Sequence, residues 1–293
     1  MASDLVRQLV DSGIHFGHRV SRWNPKMSPY IYGKRNGIHI VDIRETVRGL
    51  LRAKKFIAQV VAKGDDVLFV GTKRQAKLLI QQTASRVAMP YVCERWLGGT
   101  LTNFRTIRSR LARLEELERE EADGTLQEYS KKMIASRTRE LRKIKRNLEG
   151  IRNMERPPKA LVVVDVGRER NAIREAKKLK IPTVCLIDTD SDPDFADIPI
   201  PGNDDAIRAI EVVLSHLADA VEQGKKARGA VPKDAEQNDR TRRRSQRPVT
   251  ARADDLPGSS EAEKTATAVA DTAPESAGAD LTPAASTNPE TTP

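Results

Sequence analysis

The chain has 293 residues, of which 38% are hydrophobic, and 51 Lys and Arg against 41 Asp and Glu give a formal net charge of +10. No apolar stretch approaches the roughly 18 residues that span a bilayer, and the first residues carry Asp4 and Asp11 where a signal peptide needs an apolar core. With only Cys93 and Cys185, which lie far apart, the composition excludes a membrane-spanning, secreted or disulfide-built protein and predicts a cytoplasmic one.

Positive charge is concentrated in the first third of the chain. Residues 1–114 hold 21 basic and 7 acidic side chains, a net charge of +14, whereas residues 115–224 have a net charge of −4. A concentrated positive field attracts polyanions and is typical of nucleic-acid-binding proteins. A solvated basic face without a partner is the alternative on charge alone.

Residues 13–37 interleave basic and aromatic side chains. Glycines and prolines interrupt the segment, so we expect an extended, adaptable stretch without regular secondary structure. Its cations can neutralise RNA phosphates, and its rings can stack on splayed bases or riboses. For Phe16, Tyr30 and Tyr32 the favoured alternative is packing against a sheet. The cations for which we favour RNA are Arg19, Arg22, Lys26, Lys34 and Arg35.

From residue 38 onward, short apolar runs alternate with segments of helical periodicity. Strands are predicted at residues 38–43, 67–70, 90–93, 160–165 and 183–187. A last helix is predicted from about Asp204, capped by Asn203, to Val221. Continuous Val, Ile and Leu strands separated by helices predict a mainly parallel sheet covered on both faces. The expected fold class is therefore α/β, doubly wound.

Residues 101–151 interrupt this alternation. Two apolar series have spacings of three, four and three residues: Phe104, Ile107, Leu111 and Leu114, and then Leu141, Ile144, Leu148 and Ile151. This spacing predicts an inserted antiparallel coiled-coil hairpin that turns at Gly124. The acidic run over residues 115–121 is then expected to face Lys131 and Lys132 near the tip, while the base of the hairpin stays basic.

Residues 225–293 differ in composition from the rest. They contain no aromatic residue and are rich in Ala, Thr, Pro, Ser and Glu. Such a segment buries too little apolar surface to offset its ordering entropy, so we expect a disordered C-terminal tail. Its arginine cluster over residues 240–247 is either an accessory RNA contact or part of an unspecific solubilising extension.

Enzyme and metal signatures are weak. Neither a P-loop nor a G-x-G-x-x-G motif occurs, and the nearest candidate is the turn over residues 71–74, which could hold a phosphate of RNA as readily as a nucleotide. His15 and His18 have no third ligand nearby. The run Asp188 to Asp194 has Pro193 where a calcium loop needs glycine. We expect no catalytic residue, no metal and no cofactor.

The motifs themselves resemble those of a known family. The runs are HFGH (15–18), RWNPKMSPYIYGKRNGIHIVD (22–42), GTKRQAK (71–77), RWLGGTLTNF (95–104), IPTVCLIDTDSDPD (181–194) and IPGNDDAIRAI (200–210). In this order they resemble bacterial small-subunit ribosomal protein two, over about residues 4–224. The tail after Gly224 matches no shared pattern.

The resemblance implies an α/β ribosomal domain over residues 1–224, with a protruding coiled-coil hairpin at 101–151, a disordered tail at 225–293 and no catalysis. It implies a cytoplasmic constituent of the small ribosomal subunit that binds 16S ribosomal RNA at the head–body junction. Neighbouring small-subunit proteins, including the large first protein, are the other implied partners, with no membrane and no small-molecule substrate. The expected RNA-binding residues are Arg19, Arg22, Trp23, Lys26, Lys34, Arg35, Lys73, Arg74, Arg95, Trp96, Arg105 and Arg108.

Two alternatives stay open at this point. One is an α/β nucleotide- or phosphate-binding enzyme that uses the turn over residues 71–74. The other makes the acidic hairpin tip and the final helix a protein-docking surface, which is compatible with RNA binding elsewhere on the molecule.

Overall fold

The N-terminal part of the chain forms a small sheet of its own. The computed structural model describes residues 2–230. It begins with helix α1 (Ala2–Asp11) and strands β1 (Phe16–Arg19), β2 (Ile31–Arg35) and β3 (Ile38–Val41), which pair antiparallel in the order β1-β3-β2. Asn36 and Gly37 join β2 to β3 with φ of 51° and 74°, the positive values that a two-residue hairpin turn requires. The expectation that residues 13–37 lack regular structure is therefore wrong.

The larger sheet has five parallel strands. Helix α2 (Ile43–Ala62) leads into it, and its strands are β4 (Val67–Val70), β5 (Tyr91–Val92), β6 (Ala160–Val164), β7 (Thr183–Ile187) and β8 (Ile198–Pro201). Their order is β5-β4-β6-β7-β8, and every neighbouring pair is parallel. The remaining helices are α3 (Arg74–Arg86), α4 (Phe104–Ala122), α5 (Lys131–Leu148), α6 (Arg170–Lys178) and α7 (Ile207–Ala230). The predicted α/β class with a parallel sheet is confirmed.

Alternate residues of the central strands β4, β6 and β7 enter two different cores. Phe69 and Val162 pack in one cluster with side chains of α1, α2, α3 and α7. Leu68 and Leu161, one position along each strand, pack in a second cluster with side chains of α4, α5 and α6. Because side chains alternate across a strand, strands buried on both faces need apolar residues at every position, which is why the sequence shows continuous apolar runs.

Helices α4 and α5 contact each other through one apolar stripe and several ion pairs. Ile107, Leu111, Leu141 and Ile144 are buried in the shared cluster. Ion pairs join Glu120 to Arg137, and Glu118 to Lys145 and Arg152. These are different cations from Lys131 and Lys132, which the sequence placed opposite the acidic run. A coiled-coil geometry for the pair remains a prediction.

The final helix is longer than predicted. Asn203 accepts hydrogen bonds from the backbone N–H groups of Asp205 and Ala206 (2.8 and 3.0 Å), as a cap does. The helix itself runs from Ile207 to Ala230, so the expected boundary after residue 224 lies within it. The rest of the expected tail, residues 231–293, lies outside the described residues. Within residues 2–230, no helix has the length and apolarity needed to cross a membrane.

Candidate nucleic-acid interface

The small sheet brings several of the predicted cations together. Arg19 of β1 and Arg35 of β2 both lie directly opposite Ile38 of the central strand β3. Directly opposed residues of an antiparallel pair share one face of the sheet, so two exposed guanidinium groups flank one exposed isoleucine. Lys34 lies opposite the buried His39, and the indole of Trp23 packs on that imidazole with 5.1 Å between ring centroids.

The aromatic side chains of this region are more exposed than expected. Tyr32 is 81% exposed and Phe16 is 49% exposed, so the prediction that they pack against a sheet is wrong for Tyr32. Tyr30 does pack against the second core cluster, as expected. Trp23, at 36% exposure, offers an aromatic face beside the cations. The small sheet therefore presents both of the groups that stack on and neutralise RNA.

Lys26 is exposed but already paired. Its Nζ lies 3.0 Å from Asp192 Oδ2 and 2.5 Å from Asp194 Oδ2. Hydrogen bonds to Asp194 and Asp192 raise the pKa of Lys26. The acidic run after β7, which the sequence offered as a doubtful calcium loop, thus anchors the turn before β2. An RNA phosphate would have to displace these carboxylates.

Lys73 is buried at the carboxyl ends of β4 and β6. Its residue exposure is 9%, and its Nζ lies 2.7 Å from Asp204 Oδ1, 2.6 Å from Asp205 Oδ1 and 3.6 Å from Asp165 Oδ2. Burial lowers the pKa of Lys73, but these carboxylates, Asp204 first, raise it well above its usual value. Lys73 therefore compensates the negative charge of these aspartates. Its geometry does not favour direct contact with an RNA phosphate.

The position of this cluster explains why the turn over residues 71–74 resembles a ligand site. In an open parallel sheet, ligands bind where the strand order reverses, outside the carboxyl ends of the strands. That reversal falls between β4 and β6, where Lys73 and three aspartates lie. Burial, together with Asp165 and Asp188, raises the pKa of Asp204 to about 7. Carboxylates surround the point where an anionic nucleotide would need positive charge.

His18 extends the same cluster. Its Nδ1 lies 2.9 Å from Asp188 Oδ2 and its Nε2 lies 3.2 Å from Asp205 Oδ2. The hydrogen bond to Asp188 raises the pKa of His18 to about 9 against the effect of burial. Ligand atoms of His18, Asp188 and Asp204 lie within 4.8 Å of one another, and a metal ion there would compete with the Lys73 ammonium for Asp204. His15, which the sequence paired with His18, is not in this group.

Trp96 is also buried, at 8% exposure, and belongs to a fixed turn. Its Nε1 donates to Glu175 of α6 at 3.0 Å, and the backbone N–H groups of Gly99, Leu101 and Thr102 donate to the same carboxylate at 2.8, 3.0 and 3.2 Å. These hydrogen bonds keep the pKa of Glu175 low although burial raises it. Sequence reasoning missed Glu175. One signal in the sequence could have indicated it, since Glu175 is the single acidic residue of α6, whose other charged residues are basic.

Eight of the twelve predicted residues are exposed cations without an ion pair among residues 2–230. They are Arg19, Arg22, Lys34, Arg35, Arg74, Arg95, Arg105 and Arg108. Arg108 donates one hydrogen bond to the carbonyl of Met154 at 3.3 Å. Arg95 and Arg105 lie on either side of the turn that Glu175 holds. These exposed cations have no ion pair that must be broken before they bind a phosphate. They are therefore the cations available to a polyanion.

A basic surface of exposed, unpaired cations is typical of nucleic-acid-binding proteins, and in this α/β domain Lys73 and its aspartates lie at the usual ligand position. Comparison with known proteins narrows this class. The family model described as Ribosomal protein S2 matches residues 9–224. The chain belongs to the ribosomal protein S2 family, which consists of structural ribosomal proteins and not of enzymes. The resemblance seen in the sequence is confirmed, and the enzyme alternative is excluded.

Three curated relatives carry the name small ribosomal subunit protein uS2. The protein of Rhodopirellula baltica is 61% identical over 225 residues, which is 77% of this chain and 86% of the relative. That of Syntrophobacter fumaroxidans is 50% identical over 226 residues, 77% of this chain and 82% of the relative. That of Nocardia farcinica is 49% identical over 231 residues, 79% of this chain and 81% of the relative.

Proposed function

We propose that this chain is a cytoplasmic, structural constituent of the small ribosomal subunit that binds 16S rRNA at the junction of head and body. Family membership and the name shared by the three relatives support the place in the subunit. The observation that carries RNA binding is the set of eight exposed cations without ion pairs, two of which flank Ile38 on one face of the small sheet.

Lys73 and Trp96 have a different role in this proposal. Both are buried and paired with a carboxylate, so they are positioning residues. Lys73 binds Asp204 at the carboxyl ends of the strands of the large sheet, and Trp96 donates to Glu175 and so holds the turn before α4. Lys26 holds the acidic turn after β7. The contact surface for RNA is then the small sheet, with Arg74 and the arginines around the start of α4.

The domain assignment and the protein partners belong to the same proposal. Residues 1–224 form the ribosomal domain, and the helices α4 and α5 form a coiled-coil arm that extends its reach. The acidic groups of the arm and the helix α7 help to hold neighbouring small-subunit proteins, including the large first protein. In α4, Glu115, Glu116 and Glu121 are exposed, so a basic partner could reach them.

Density-gradient sedimentation of a cell extract tests the proposal. We expect the full chain, detected with a small tag, to co-sediment with the small subunit at low salt. Crosslinking followed by mass spectrometry should then place RNA adducts on peptides of the small sheet and of residues 95–108. Recovery of the chain only in the soluble fraction at low salt would contradict the proposal.

A further inference from the structure

A groove at the root of helices α4 and α5 is not explained by the contacts described so far. It encloses about 420 Å³ and lies between the turn at Gly98 and Gly99, the first turns of α4 and the last turns of α5. This volume is within the range of small-molecule sites. Its lining includes Asn103 and Arg110 from the α4 side and Lys143 and Asn147 from the α5 side.

The groove combines an apolar floor with polar walls. Ile107, Ile144 and Leu148 form the floor, and all three are buried. Asn103 uses its Oδ1 to accept from Thr106 Oγ1 at 2.8 Å, which leaves the amide N–H groups of the same side chain to donate. Asn147 supplies a second amide. A flat heterocycle can pack on such a floor while amides meet its polar edge.

The charges at this groove have no acidic partner within the described part of the chain. Arg110 and Lys143 are exposed, and neither forms an ion pair there. Two neighbouring cations of the same helices are neutralised, since Arg113 pairs with Glu116 and Lys145 with Glu118. Arg110 and Lys143 therefore make the groove electropositive, and an anion would be attracted there.

The mouth of the groove is open and held in place. A Cβ atom on Gly98 would meet nothing within 4 Å, and Gly99 has a φ of +89°, a backbone conformation that favours glycine. Hydrogen bonds from Gly99, Leu101 and Thr102 to the buried Glu175 carboxylate keep this turn in one conformation. A preformed mouth lowers the ordering cost of binding.

From these features we infer that the groove holds one unpaired nucleotide of an RNA strand, with its base on the apolar floor and its phosphate between Arg110 and Lys143. The inference rests on the proposed function, because it names the RNA feature that this part of the surface takes. A paired nucleotide does not fit, since its base is stacked within a helix and cannot enter a groove. An apolar peptide segment is a poorer occupant, because it has no negative charge to bind Arg110 and Lys143 on the two facing helices.

Three variants of the full chain test the inference by binding to 16S rRNA over a range of salt concentrations. Arg110→Gln with Lys143→Gln should weaken binding about tenfold at low salt and reduce the slope of log affinity against log salt by about 2. The matched control, Arg113→Gln with Lys145→Gln, removes two cations that are already neutralised and should leave the slope unchanged. Gly98→Leu narrows the mouth without changing charge, and it should abolish base crosslinks to residues 97–110 while keeping the slope.

The outcomes separate this inference from the proposed function. If the Arg110/Lys143 variant keeps wild-type affinity, slope and crosslinks while the chain still co-sediments with the small subunit, the groove inference is wrong and the proposed function stands. If the wild-type chain fails to co-sediment, the proposed function itself fails. Saturable binding of free AMP that competes with RNA would overturn the inference in favour of a free-nucleotide site. Protection of the groove by a neighbouring protein but not by RNA alone would overturn it in favour of a protein contact.

Discussion

Lys73 shows how a single buried residue changes the interpretation of a motif. In the sequence it stands in a basic run at a strand-to-helix turn, where a phosphate contact is the natural expectation. In the fold its ammonium is surrounded by Asp204, Asp205 and Asp165. The fold thus needs Lys73 to compensate the buried Asp204 carboxylate, beside which two further carboxylates lie.

We expect Lys73→Met to lower the free energy of unfolding by about 3 kcal/mol, because it removes the ammonium that pairs with the buried Asp204 carboxylate. Lys77→Met is a matched control, since Lys77 makes a half-exposed ion pair with Glu94 at 2.8 Å and should change stability by less than about 1 kcal/mol. Urea unfolding of the RNA-free chain measures both. If Lys73→Met keeps its stability but loses affinity for 16S rRNA, Lys73 contacts RNA and its structural assignment is wrong.

His18 makes stability depend on pH in a defined direction. Its pKa is raised from 6.5 to about 9 in the fold, chiefly by the hydrogen bond to Asp188. A histidine with a raised folded pKa contributes stability that is complete below about pH 6.5 and is lost as the pH rises through about 9. The contribution is on the order of 3 kcal/mol.

We therefore expect the difference in unfolding free energy between the wild-type chain and His18→Gln to shrink as the pH rises from 6.5 to 9. Asp204, whose pKa is raised to about 7, also contributes stability that decreases as the pH rises. The quantity to follow is therefore the difference in unfolding free energy between the two chains, and not the curve of the wild-type chain alone. Urea unfolding in a buffer with a chelator, at several pH values, measures it. A difference that stays constant over this window would show that His18 is not the titrating group.

At the scale of elements, helix α2 depends on close contact with strand β8. Gly49 lies on the face of α2 toward β8, and a Cβ atom there would overlap the backbone oxygen of Pro199 and come within 3.2 Å of Ile200 Cα. Backbone atoms cannot move away as a flexible side chain can. A larger residue at position 49 must therefore shift the helix away from the sheet.

Gly49→Ala should destabilise the chain by about 1–3 kcal/mol, although alanine is the better helix former, because the overlap displaces α2 from β8. Gly33→Ala is the control: Gly33 lies in β2, and a Cβ atom there meets nothing within 4 Å. We expect Gly33→Ala to be neutral within about 0.5 kcal/mol. Thermal unfolding of the two variants compares them, and equal melting temperatures would contradict the close packing of α2 on β8.

At the scale of the whole molecule, the net charge of +10 is the sum over two different groups of cations. Some are neutralised within the fold, such as Lys26 and Lys73. Others, such as Arg19 and Arg35, are exposed and have no acidic partner among residues 2–230. Only the second group can release counterions from RNA without first breaking an ion pair, and so it should determine how affinity depends on salt.

We expect Arg19→Gln with Arg35→Gln to weaken binding to 16S rRNA similarly for all sequence variants of the site and to lower the salt slope by about 2. Arg86→Gln is the control, because Arg86 is exposed but paired with Asp219 at 2.8 Å and Glu222 at 3.3 Å. Filter binding at several salt concentrations measures both variants. An unchanged slope in the double variant would remove the small sheet from the RNA-binding surface.

The sequence predicted much of the large sheet but less of the small one. Continuous apolar runs are a local signal, and they located all of β4, β6 and β7 within a residue. Of the small sheet, only β3 was predicted, as a strand over residues 38–43. The strands β1 and β2 were missed because glycines and prolines were taken as interruptions, although Asn36-Gly37 is itself a hairpin signal. The helices α4 and α5 were predicted from spacing alone, but not which cations meet Glu118 and Glu120.

By itself the sequence determined the fold class, the family and the concentration of positive charge in the first third, because periodicity, motif order and composition are properties of the chain read locally. Only the tertiary structure decided which cations remain available. Lys73 meets Asp204, which is 131 residues away, and Trp96 meets Glu175, which is 79 residues away. Such pairs form because the parallel sheet brings the carboxyl ends of distant strands to one edge and packs α6 beside the turn before α4, and no local pattern encodes that proximity.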